Sequence, residues 1–188
     1  MNYKVYGLGK HHPAGLYTPL SILQITTDDK SIRTAQRTFV PQTIQSDPHK
    51  RCIALFLSEI LFDVLRHPMQ DEPMYDFLES AIRELDILPP ITGNPSPVTG
   101  TPSPITPLSN FHLRFLTEFA AQLGFAIPVE ETEHGNILPS SQGRAGVRLP
   151  LTRSERQQAL RSLCDYFAEH IDTWHQPKSL DILMEVFD

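Results

Sequence analysis

Residues 47–67, DPHKRCIALFLSEILFDVLRH, decide most of what this chain can become. Asp47 suits an N-cap, because its carboxylate can accept from an unsatisfied N–H of a first helical turn. Pro48 suits the first helical position, where no N–H is needed. Ile53, Phe56, Leu57, Ile60, Leu61, Val64 and Leu65 then recur in steps of three and four, the stripe of an α-helix. Leu55 and Phe62 widen that stripe, which predicts neighbours on more than one side. Pro68 ends the run. About twenty residues at ~1.5 Å each make a rod of about 30 Å, long enough to cross a small domain. The expectation is that this helix is the core and that the other helices pack on it.

With 188 residues, the chain suffices for one ordinary domain or two small ones. A net charge of −6 gives no sign of a nucleic-acid binder in the chain as a whole. The charge is unevenly spread, however. Residues 1–51 carry seven Lys and Arg (Lys4, Lys10, Lys30, Arg33, Arg37, Lys50, Arg51) against three Asp, a net +4, which leaves −10 for the remainder. The front of the chain is therefore the better candidate for meeting an anion. Cys52 and Cys164 each fall inside an apolar helical pattern, which predicts reduced, buried thiols in a cytoplasmic protein. No apolar run reaches ~18 residues, so no membrane span is expected. The N-terminus lacks the pattern of a secretion signal.

Taken in order, residues 2–8 read as a strand, 9–15 as a loop, 16–27 and 31–40 as two further strands. After the central helix, Asp71 should cap a second one over 73–86, with Met74, Phe77, Leu78, Ile82 and Leu85 inward and Glu79 paired with Arg83 outside. Residues 89–107 hold seven prolines among Gly, Ser and Thr, which excludes a helix or an inner strand. They read as an extended linker in preference to a proline-rich ligand. Ser109 is expected to cap the next helix, whose inward face is Phe111, Phe115, Leu116, Phe119, Ala120 and Leu123, with Gly124 closing it. Thr152 to Glu155 form a capping box for a helix reaching about His170. Ser179 should cap a last short helix.

Residues with evident chemistry are few. No nucleophile motif, phosphate loop or dinucleotide fingerprint occurs, so an enzyme is not expected. The eight histidines lack Cys or carboxylate partners at zinc spacing, and neither a metal nor another cofactor is expected. Glu59 sits among Leu55, Phe56 and Phe62, and its expected partner is an arginine, Arg66 or one from another helix. At the front, Tyr3, Tyr6 and Tyr17 interleave with the cations. Such a surface can hold a single strand by phosphate contacts and base stacking. It can equally be a solvated face over core tyrosines.

Several segments carry a family resemblance. VYGLGK at 5–10, YTPLSILQI at 17–25, IALFLSEILFDVLR at 53–66, NFHLRFLTEFAAQLGF at 110–125, LTRSERQQALRSLCDYFAEHI at 151–171 and KSLDILMEVF at 178–187 stand in the order and spacing of one family. Over most of its length the chain resembles RecO, the bacterial recombination mediator, in the form of Bacteroidetes-like bacteria. The resemblance implies an OB-fold barrel followed by a helical domain. It implies binding of single-stranded and duplex DNA, strand annealing and recombinase loading, with RecR and the C-terminal tail of single-strand-binding protein as partners.

Departures from the family are equally plain. The family has about one more pair of strands ahead of the match, so a barrel of ~5 strands is expected to be incomplete here, and Met1 to be a late start. Residues 89–107 replace a short connection, and 126–150 are shorter than the family's segment. The four-cysteine zinc site of some relatives has no counterpart among two cysteines.

The expectation is thus an α+β chain: incomplete OB-fold-like strands over 1–46, then an all-helical domain over 47–188 interrupted at 89–107. The expected DNA contacts are Lys4, Lys10, Lys30, Arg33, Arg37, Lys50 and Arg51. Arg114 and Arg161 are the expected contacts of a protein partner. The alternative is a helical interaction module that has lost DNA binding.

Overall fold

A computed structural model describes residues 17–27, 32–65, 71–91, 107–125 and 153–187. Two strands, β1 (Leu23–Thr27) and β2 (Ile32–Arg37), pair antiparallel with Leu23 opposite Arg37 and Ile25 opposite Ala35. Five helices follow: α1 (Pro48–Val64), α2 (Glu72–Ile87), α3 (Pro107–Gln122), α4 (Arg153–His170) and α5 (Leu180–Val186). The α+β class holds. The strand expected over residues 2–8 lies outside the described residues, as do most of the Pro-rich tract and the capping-box threonine. The other two strands are shorter than expected. Residues 18–21 form a turn instead, in which the Ser21 N–H bonds the Thr18 carbonyl and Leu20 takes a φ of +57°.

The helix caps follow the sequence closely. The Asp47 carboxylate accepts from the N–H groups of His49 (2.8 Å) and Lys50 (3.2 Å), and Asp71 accepts from Met74 (3.0 Å). At the end of α3, the Gly124 N–H bonds Ala121 and the Phe125 N–H bonds Ala120. This is a Schellman closure, and Gly124 supplies the positive φ of +89° that it needs. Two caps differ from expectation. Helix α3 opens at Pro107, so Ser109 lies buried inside the first turn and not at its edge. Ser179 stands at the start of α5, but its hydroxyl turns away to Glu59.

The core identifies a different centre from the one the sequence suggested. Helix α1 buries Ile53, Ala54, Phe56, Leu57 and Ile60, as its stripe requires. Leu55 and Phe62, however, are 40% and 62% exposed. At ~100° per residue they fall on the opposite side of the helix from Ile53 and Ile60. The hub is α3, which packs on α1, α2 and α4. It buries Leu108, Phe111, Leu113, Phe115, Leu116, Phe119 and Ala120, more of its circumference than a single stripe. A ladder of rings runs along it. Phe115 lies 5.6 Å from Phe119, Phe77 of α2 lies 5.4 Å from Phe115, and Phe167 of α4 lies 6.1 Å from Phe119. Each pairing adds about 0.5–1.5 kcal/mol beyond the area it buries.

The cysteines are free, as expected. Cys164 is fully buried, and burial, followed by the nearby Asp165 charge, pushes its thiol up to about 12. Cys52 is only half-buried, since it sits one position off the α1 stripe.

Candidate nucleic-acid interface

The described part of the basic front is β2, the link that leaves it and the first turn of α1. Lys4, Lys10 and Lys30 lie outside the described residues. Position 33 falls in β2 where the register shifts: Thr26 pairs with Thr34 and Thr27 with Ile32, so position 33 is skipped. Arg37 ends that strand, half-buried, with Nη2 donating to the Thr18 hydroxyl at 3.4 Å. Thr18 lies beside Tyr17, also half-buried. The opposite face carries Gln24 and Gln36, joined side chain to side chain at 2.8 Å. Arg51 is exposed on the first turn of α1, and its guanidinium donates through Nε and Nη2 to the Gln45 carbonyl. The structure therefore brings Arg37, position 33 and Arg51 to the sheet and its exit.

Lys50 is a correction. It is fully buried, and its Nζ donates to the Asp86 carbonyl (2.7 Å) and the Thr43 hydroxyl (2.5 Å). Burial lowers its pKa from the ordinary lysine value, although Asp47 and Asp86 pull the other way. A side chain so enclosed meets no phosphate. No local pattern signals this burial, because its partners are 7 and 36 residues away.

Around Lys50 lies a polar knot that pattern reading missed. Asp86, in the last turn of α2, accepts from the backbone N–H groups of Gln42 (2.8 Å), Thr43 (2.7 Å) and Ile44 (3.0 Å). The Thr43 hydroxyl also donates to the Asp86 carbonyl. Burial on its own would raise the Asp86 carboxyl, but the three N–H donors and the hydroxyl outweigh it and hold the pKa below the ordinary value.

Arg114 and Arg161, the expected partner contacts, are both exposed but are not alike. Arg114 pairs with Glu84 of α2 and lies 3.9 Å from Glu118. Two carboxylates already offset its charge. Arg161 stands on the outer side of α4. Glu59 has a structural role, as expected, but with a different partner. It accepts from the Ser179 N–H (3.1 Å) and hydroxyl (3.0 Å), which fixes the start of α5 against α1.

Among the described residues no group of His, Cys, Asp or Glu could hold a metal ion. His175 pairs with Asp63 at 3.3 Å, and His170 Nδ1 lies 2.8 Å from the Tyr166 carbonyl. His112 is buried beside the Phe187 ring, and burial, with help from Arg156, drives its pKa down to about 3. It is a neutral core imidazole at physiological pH. No described helix is long and apolar enough to cross a membrane.

Comparison with known proteins agrees with the resemblance. The chain is 32% identical to the DNA repair protein RecO of Flavobacterium johnsoniae in an alignment 206 positions long, which covers 91% of this chain and 78% of that protein. Proteins of the same name from Porphyromonas gingivalis and Phocaeicola vulgatus are 28% and 27% identical, each across 92% of this chain and 79% of their own length. No protein-family model matches the chain, and no solved structure does.

Proposed function

The chain belongs to the RecO family of DNA repair proteins, and from that premise we propose that it works as a non-enzymatic recombination mediator. In this reading it binds single-stranded and duplex DNA, anneals strands and assists recombinase loading together with RecR and single-strand-binding protein in the cytoplasm. The observation that carries the reading is the split in charge, +4 over residues 1–51 against −10 beyond them. Arg51 in the open and Arg37 at the strand end support it. Lys4, Lys10, Lys30 and Arg33 remain proposed contacts, and Lys50 does not. The division into a DNA-binding part before residue 47 and a partner-binding helical part after it belongs to the same proposal.

Counterion release makes the test specific. Each phosphate neutralised on a single strand contributes roughly −0.7 to the slope of log affinity against log salt. Fluorescence anisotropy with a labelled oligonucleotide should therefore show affinity falling steeply with salt. A folded chain that binds no oligonucleotide at low salt would leave only a partner-binding role. For that role the exposed Arg161 is the better contact for the acidic tail of single-strand-binding protein, since Arg114 is already held by Glu84. Pull-down with the tail peptide should weaken in Arg161→Glu and change little in Arg114→Ala.

A further inference from the structure

We propose that Asp86 is a positioning residue, the joint that sets the angle at which the β1–β2 sheet stands on the helices. Among the described residues neither strand packs extensively on a helix, and the flanking segments tie the sheet to the helices. Upstream, Leu20 packs against the core and lines one small apolar cavity together with Leu57, Leu61, Leu78, Ile82 and Phe115. Apolar contact of this kind is non-directional. It holds the segment close without choosing its orientation.

Downstream, besides Ile44 in the core and Phe39 under the Arg83 guanidinium, the attachment is directional. Three successive N–H groups, of Gln42, Thr43 and Ile44, converge on one carboxylate at 2.7–3.0 Å. A hydrogen bond weakens steeply once bent, so three from consecutive residues leave the link from β2 little freedom to pivot. Lys50 braces the knot from α1 by bonding Thr43 and the Asp86 carbonyl. The joint thus draws on the link, α1 and α2 at once.

The placement of Asp86 is itself informative. A carboxylate in the last turn of a helix opposes the helix dipole, and burying it adds a desolvation cost. Nothing within α2 compensates for either. What compensates is the link from the sheet, through its three N–H groups, of which that of Ile44 is buried. A residue that breaks the local rule and satisfies a distant one marks a contact between two parts of a fold.

The joint does not depend on the function proposed above. Spin labels introduced as unnatural amino acids at Gln36 on β2 and Ala121 on α3 leave both cysteines untouched. Their separation, measured by pulsed electron resonance on the full chain, reports the sheet's orientation. Asp86→Asn replaces one accepting oxygen by a donor that cannot accept an N–H. The expected result is a distance distribution at least twice as wide, with the helical circular dichroism kept. Asp86→Glu retains the charge but displaces it by a methylene, and should broaden the distribution likewise. An unchanged distribution in either folded variant overturns the proposal. Loss of the helical fold in both overturns it too, because Asp86 would then be a core residue and not a joint. Broadening in a chain that binds no oligonucleotide would remove the functional reading and leave the joint standing.

Discussion

The helical body and the two-stranded sheet are held by different physics. In the body, α3 is gripped on three sides, and its rings stack with those of α2 and α4. In the sheet, Ile25 is 41% exposed and Gln24 and Gln36 face water, so the strands bury little of their own. Among the described residues the sheet is tied to the body by Leu20 and Ile44 against the core, by Phe39 under the Arg83 guanidinium and by hydrogen bonds to Asp86. Apolar packing makes the body stable whatever the sheet does. A few directional bonds make the sheet's position sensitive to single side chains. That contrast suits the proposed function, in which the cationic end meets DNA while the other end stays fixed.

The largest effect should come from charging the body. Leu57→Asp places a carboxylate where the leucine is 1% exposed, with no partner prepared for it. Circular dichroism should show loss of the helical fold. Phe119→Ala removes the ring at the middle of the ladder and should cost about 3–5 kcal/mol in urea denaturation. Ile25→Ala on the sheet should cost less than about 0.5 kcal/mol. Equal costs for the two would dissolve the contrast.

Next comes acid. The His112 pKa in the folded chain is about 3, below the ~6.5 of an unfolded histidine. Between those values the unfolded chain takes up a proton that the folded chain refuses. The stability is thus fully present above pH ~6.5 and is lost as pH falls, at about 1.4 kcal/mol per unit. Asp86 works in the same direction at lower pH. Its folded pKa is depressed, so its contribution is present above the unfolded carboxyl value and fades as pH drops through the folded one. Thermal melts of His112→Leu should therefore depend less on pH between about 6.5 and 4 than those of the unaltered chain. Parallel curves for the two would show that His112 is not the group responsible.

A smaller effect belongs to Gly124. A methyl group there meets nothing within 4 Å, so Gly124→Ala is penalised only by the positive φ, at about 1 kcal/mol. A change near zero in chemical denaturation would mean that the Schellman closure does not hold in solution.

Local signals, and little else, were legible in the sequence. Asp47, Asp71 and Gly124 announced their helix ends, because a cap is made within four residues. The inward face of α1 was legible from its stripe. The primacy of α3 was not, since helix burial depends on how many neighbours surround it and the stripe shows one side. Leu55 and Phe62 misled for a related reason: an apolar residue can stand on an exposed side. In the candidate interface, Arg37 and Arg51 were legible as part of a charge cluster. Lys50 looked the same in sequence, and only its contacts with Thr43 and Asp86 remove it from the surface. The pairing of Glu59 with Ser179 spans 120 residues and leaves no periodic trace.

The most direct test is hydrogen exchange of the full chain with and without a single-stranded oligonucleotide at low salt. Protection should appear over residues 17–37 and around Arg51, with α3 and α4 exchanging as before. Protection confined to α3 and α4, or none anywhere in a folded chain, would contradict the assignment of DNA to the cationic front.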